Sequence, residues 1–224
     1  MSKIILFIFI GMLLYSCKEV PTKLPILGNA DIVYLQKEGV TIADTLYPKI
    51  PTFTFLNEDS ILVSNENFKN KIWIVEFFFA TCPTICPIMQ KQLKNVVKAT
   101  KGFENNIEFI SFTIDPTNDS PSKLKAYKKQ NKILNKNWSF LTGDEATTHR
   151  LGIENFLTFA GRNEEALGGY AHSGSFTLVD KAGYVRGVYN VTNFDLSVNK
   201  SEYNRLINDV ESLLINEYGI SKSK

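Results

Sequence analysis

Between Lys71 and Phe79 the chain reads KIWIVEFFF, an almost unbroken apolar run with Glu76 inside it. A short run rich in β-branched and aromatic residues reads as a strand buried on both faces, so the rest of the chain must supply cover for two sides of a sheet. Ile107 to Ile114 (IEFISFTI) repeats the pattern and reads as a second central strand. Between them Ile88, Met89, Leu93, Val96 and Val97 recur at helical spacing, with Gly102 as a stop signal. The loop from Asp115 to Pro121 opens a second helix, Ser122 to about Asn131. Trp138 to Leu141 reads as a short strand, and Asp144 caps a helix running to about Leu151. Ser175 to Val179 and Tyr184 to Tyr189 form a hairpin turning at Asp180 to Gly183. An amphipathic helix from about Lys200 to Tyr218 follows, with Tyr203, Leu206, Ile207, Val210, Leu213 and Leu214 on its apolar face. Upstream, Asp31 to Leu35 and Val40 to Ile42 flank a turn at Lys37 to Gly39. Phe53 to Leu56 and Ile61 to Val63 flank another at Asn57 to Ser60. Alternating strands and helices make an α/β layered fold, whose chemical sites lie beyond the carboxyl ends of the central strands.

Composition narrows the function. The 224 residues carry a formal net charge of +2, without the basic stripe of a dedicated nucleic-acid binder. Three cysteines are too few for a disulfide-built scaffold, and 16 phenylalanines suffice for a real core. There is no phosphate-cradling glycine loop and no dinucleotide fingerprint.

The amino terminus reads as a targeting segment. Met1-Ser2-Lys3 precedes an apolar stretch, Ile4 to Leu14, that is too short to span a bilayer. Leu14-Tyr15-Ser16-Cys17 resembles the bacterial lipoprotein box, with Tyr15 bulkier than usual. On this reading residues 1–16 are a signal peptide, Cys17 is lipidated, and residues 17–24 are a tether. The folded part is then extracytoplasmic and membrane-anchored, on the periplasmic side, where a dithiol can be oxidised. Residues 25–50 form an N-terminal extension with a hairpin, 51–219 the main domain, and 220–224 a frayed tail.

Cys82 and Cys86 remain. Each is followed by proline, and both sit where the first central strand hands over to a helix. A helix N-terminus favours thiolate over thiol, and a thiolate is both a nucleophile and a soft metal ligand. The gap in Cys82-x-x-x-Cys86 is wider than in common dithiol exchangers, giving freedom to aim both sulfurs at one ion. Two thiolates leave a metal site incomplete, so a third ligand is needed. Of the two histidines, His149 stands beside Arg150 on a helix and reads as a solvated surface residue. His172, in GGYAHSG directly before a strand, is the candidate ligand. Lys91, Lys94, Lys98 and Lys101 read as a solvated helix face, and Gly161 to Gly169 as a mobile loop.

KIWIVEFFFATCPTICP (Lys71 to Pro87), FISFTIDPTND (Phe109 to Asp119) and HSGSFTLVDKAG (His172 to Gly183) together resemble the Sco family, also called SenC or PrrC. These are thioredoxin-like copper proteins tied to cytochrome c oxidase assembly. The resemblance implies a thioredoxin-like fold, a central mixed sheet flanked by helices, with the N-terminal hairpin as an addition. It implies copper, Cu(I) or Cu(II), held by Cys82, Cys86 and His172, with Asp115 as a supporting or loop-shaping residue. The expected role is a metallochaperone delivering copper to the binuclear centre of an oxidase subunit. The alternative is a thiol-disulfide oxidoreductase that reduces the acceptor's cysteines, Cys82 attacking and Cys86 resolving. The chain departs from the family at Thr84 and Ala171, where an acidic residue is common. No proline precedes the strand near Ser175, where dithiol exchangers usually carry one, which favours metal binding.

Overall fold

The computed structural model describes residues 23–193 and 195–220. The expected signal peptide and Cys17, and most of the expected tether and tail, lie outside them. No helix among the described residues is long and apolar enough to cross a membrane.

Strands β1 (Asp31–Lys37) and β2 (Val40–Leu46) form a separate antiparallel hairpin, exposed along nearly its whole length. The main sheet takes β3 (Thr54–Asn57), β4 (Leu62–Ser64), β5 (Ile72–Phe78), β6 (Ile107–Thr113), β7 (Trp138–Thr142), β10 (Ser175–Val179) and β11 (Val185–Asn190). Its order is β11-β10-β5-β6-β7-β3-β4. The β5-β6 and β6-β7 pairs are parallel, and the outer pairs are antiparallel. A second small hairpin pairs β8 (Ala160–Arg162) with β9 (Tyr170–His172). Helices α1 (Cys86–Ala99) and α2 (Pro121–Gln130) make the two parallel crossovers. Helix α3 (Glu145–Arg150) runs on into a π turn over Leu151–Asn155, and α4 (Lys200–Tyr218) closes the chain. This is the expected thioredoxin-like α/β arrangement.

Local chemistry sets the boundaries. Ser120 caps α2 through the Lys123 N–H, with Pro121 in the first turn, where its missing donor costs nothing. Asp144 and Asn199 cap α3 and α4 in the same way, and Gly219 ends α4 in the left-handed region at φ 67°. β5 and β6 are buried at every residue, as continuous apolar runs demand. On one face of the sheet Phe77 stacks on Phe112 at 5.3 Å, and both meet Phe156 beyond the π turn. On the other face Phe78 meets Tyr127 of α2, and α1 packs against α4.

One loop expectation is corrected. Gly161 to Gly169 is not loop throughout: Gly161 and Arg162 belong to β8, and the rest turns back into β9. This stretch lacks a β pattern of its own, and its pairing follows from where the neighbouring elements place it.

Candidate metal centre

The thiol pair sits at the carboxyl end of β5. Phe79 ends the apolar run, the Cys82 N–H donates to the Phe79 carbonyl (3.1 Å), and Cys86 opens α1 with Pro87 in its first turn. The segment before Cys82 is anchored from below. The Ala80 N–H donates to Asp119 Oδ2 (2.8 Å), which also accepts from the Thr113 hydroxyl (2.6 Å). Asp119 is thus a support that the sequence reading missed. The one signal was its place, four residues past Asp115 in the loop after the second central strand.

His172 arrives from the opposite side as the last residue of β9. The link from β9 to β10 passes close to Ile85, between the two cysteines. A Cβ on Gly174 would lie 2.5 Å from Ile85 Cδ1 and 2.9 Å from Thr192 Cβ, so only glycine permits this approach. Gly174 thereby lets the imidazole reach the sulfurs, and it stands directly before Ser175, where dithiol exchangers usually carry proline. His172 Nε2 lies 3.0 Å from Cys86 Sγ and 3.9 Å from Cys82 Sγ. The Phe79 ring meets the imidazole edge-on at 6.0 Å.

The three ligand atoms lie within 4.8 Å of one another. An ion with bonds of about 2.0–2.3 Å, as in zinc-type sites, spans such separations without rebuilding the backbone. The donors are two soft sulfurs and an imidazole, a set suited to copper in either oxidation state. The sequence-nominated trio therefore fits a metal ion. Asp115 is not in the cluster. It is buried, accepts from the Asn118 side-chain amide (2.9 Å) and takes the Tyr170 hydroxyl at 3.3 Å, two residues before His172. It supports the hairpin that carries the histidine.

The two thiols are free and unlike each other. The Cys86 thiol beside it pulls the Cys82 thiol well below its ordinary range, with help from His172 and the N–H groups of Cys86 and Thr84, against the opposing effect of burial. Burial first, then the neighbouring Cys82, pushes Cys86 well above that range. Cys82 is the sulfur that ionises readily, and Cys86 is the deep one.

His149 is a correction. It is half-buried, with Nε2 2.9 Å from the Ile114 carbonyl and its ring edge-on to Tyr170 at 6.0 Å. His149 stands in the last turn of α3 and meets the carbonyl just past β6, so this ring ties helix to sheet instead of facing solvent. Among the expected lysine face, Lys94 is also half-buried and bonds the Asn131 carbonyl.

The site opens into a groove of about 720 Å³ whose wall includes Ile85, Leu167, Asn190, Thr192 and Leu196. Among the described residues, no Asp, Glu, Lys or Arg lines it.

Comparison with known proteins gives the same reading. The SCO1/SenC family profile matches residues 44–206. The SCO1 protein homolog of Bacillus subtilis is 33% identical over 175 residues, covering 78% of this chain and 87% of that protein. The crystal structure of a SCO1/SenC family lipoprotein from Bacillus anthracis superposes with a TM-score of 0.64 at 29% identity, over 74% of this chain and 94% of that one. Copper-bound ScoI of Bradyrhizobium japonicum gives a TM-score of 0.56 at 19% identity, over 70% of this chain and 96% of that one. That last likeness is one of fold alone. By its matched profile and its Bacillus relative, this chain belongs to the SCO1/SenC family.

Proposed function

We propose that the protein is an extracytoplasmic copper metallochaperone, anchored through a lipid on Cys17, that binds one copper through Cys82, Cys86 and His172. Its cargo goes to the binuclear copper centre of a terminal oxidase subunit, the destination that family membership suggests. The observation that carries this reading is the convergence of His172 Nε2 on both sulfurs from 86 and 90 positions away in the chain. A redox dithiol needs no imidazole there, whereas a two-sulfur metal site does. When bound, copper supplies a centre that exchanges ligands with an acceptor. The chain holds the two sulfurs on a strand-to-helix junction and presents the third donor on a separate hairpin, beside an open groove. A site near the surface, with ligands on distinct elements, suits transfer.

The test is a copper titration of the reduced protein against His172→Ala, competed with a chelator of known affinity. Weakened Cu(II) binding and lost thiolate-to-copper absorption in the variant support the reading. Unchanged binding sinks it. Anchoring is tested by Cys17→Ala, which releases the protein from membranes if lipidation holds it there.

A second reading draws on the unlike thiols. The Cys82 thiolate attacks an acceptor disulfide and expels one acceptor thiolate. Cys86 then gives up its proton and attacks Cys82, releasing the second acceptor sulfur and leaving a Cys82–Cys86 disulfide. Fast exchange together with copper binding indifferent to His172 is the result that favours it.

A further inference from the structure

Glu76, the polar residue inside the β5 run, is fully buried, at 0% exposure. Its Oε1 accepts from the Gln90 side-chain amide (2.6 Å) and from the Ser111 hydroxyl (2.6 Å). Ser111 in turn accepts from the Trp138 indole N–H (2.8 Å). Two buried acceptors are left without a donor, Glu76 Oε2 and Gln90 Oε1. Bare buried acceptors are rare because each forfeits its hydration. These two belong to a pair already joined through Oε1 and Nε2. A carboxylic acid and a primary amide close a ring: the amide N–H donates to one carboxyl oxygen, and the carboxyl O–H donates to the amide oxygen. One proton on Glu76 Oε2 therefore satisfies both orphans. Flipping the Gln90 amide does not, since it sets the amide oxygen 2.6 Å from Oε1, acceptor against acceptor.

The surroundings favour the same state. From α1 come Gln90 and Cys86, from α2 Tyr127, and from β6 Ser111; none is a cation. A charge on Glu76 is felt at both Cys86 and Tyr127. Burial raises the Glu76 carboxyl from 4.5 to about 7. Gln90 lies one helical turn beyond Cys86.

We propose that Glu76 is carried as a neutral carboxylic acid in a cyclic pair with Gln90, as a positioning residue that pins the start of α1 to the central strand without setting a negative charge near the Cys86 thiol. On ionisation the proton leaves to solvent, the ring with Gln90 opens, and an anion stands within reach of the Cys86 thiol. The consequence for copper rests on the function proposed above; the proton on Glu76 does not.

The test uses the full chain, reduced and metal-free. Infrared difference spectra of wild type against Glu76→Gln at pH 6 show a protonated-carboxyl C=O stretch that shifts in D₂O and fades as pH rises through about 7. In a Trp73→Phe background, Trp138 fluorescence titrates over the same span and is flat once Glu76→Gln is added. Absence of the band at pH 6, or fluorescence flat in both proteins, overturns the proposal. For the link to the thiols, Cu(I) retention is measured by chelator competition between pH 6 and pH 9. Glu76→Gln gains about tenfold over wild type at the upper end, the equivalent of one pKa unit of charge interaction. A constant ratio overturns the positioning role. Failure of both proteins to hold copper at any pH sinks the copper reading, and the infrared band then still decides the proton on Glu76.

Discussion

The imidazole of His172 leans toward Cys86, at 3.0 Å, and stands farther from Cys82, at 3.9 Å. The ring thus sits against the sulfur that is harder to ionise, and the readily ionised sulfur is left nearer the mouth of the groove.

That asymmetry predicts unequal thiol chemistry. Cys82 is 8% exposed and Cys86 1%. Limited alkylation of the reduced protein with iodoacetamide at pH 6 is expected to label Cys82 at least about tenfold faster than Cys86, because the thiolate is the nucleophile. Peptide mapping by mass spectrometry reads the ratio. Equal labelling contradicts the assignment of a low-pKa Cys82.

The hairpin carrying His172 is latched from outside. The Arg162 guanidinium stacks on the Tyr170 ring at 5.3 Å and donates to Glu145 of α3, Nη2 to Oε2 at 2.9 Å. Arg162 is exposed, so Arg162→Ala is expected to cost less than about 1 kcal/mol of stability. Copper affinity should fall about tenfold, as when the residue orienting a ligand is lost. Chelator competition and thermal melts on the same variant separate the two effects. A large drop in melting temperature with affinity intact is the opposite of this prediction.

Glu76 makes stability depend on pH in a direction opposite to most carboxylates. Its folded-state value, about 7, lies above the 4.5 of an unperturbed glutamate. Between those values the folded state holds the extra proton, so its contribution is full below 4.5 and lost as pH rises through about 7. The loss is about 3 kcal/mol. Urea unfolding of wild type and Glu76→Gln at pH 5 and pH 8 isolates it, because other titrating groups cancel between the two proteins. A difference that does not change with pH contradicts the raised value.

Phe112 touches the rings of Phe53, Phe55, Phe77 and Phe156 and is fully buried. Phe112→Ala is expected to cost about 3–5 kcal/mol through lost contact and the cavity left behind. Denaturant unfolding checks it, and a cost under about 1 kcal/mol would mean that the aromatic cluster collapses to fill the gap.

The strands and helices that position the site were legible because their signals are local. Apolar runs mark β5 and β6, proline and capping residues mark the helix starts, and the period of α4 carries through from Lys200 to Tyr218. The thiol pair was legible from its spacing and its place after a strand, and His172 from the family motif. What escaped was set by contacts distant in sequence. Nothing near His149 announces the Ile114 carbonyl, nothing near Arg162 announces that its neighbourhood pairs as a strand, and nothing near Asp119 announces the Ala80 amide. Glu76 was visible as an interruption, but its partners Gln90 and Ser111 come from two other elements, so its charge state could be read only in three dimensions.

The distance along the chain between Cys86 and His172, 86 positions, gives a metal held between them a mechanical meaning. A bound ion would act as a removable staple, closing a long loop that the bare protein leaves to its own packing. Cross-links over loops of this size restrict the unfolded chain by about 4–5 kcal/mol in the chain-entropy account. Loading would therefore harden the protein against heat and proteases, and handing the ion on would soften it again. Cargo status would be written into resistance to digestion, which limited proteolysis of loaded and emptied protein can read.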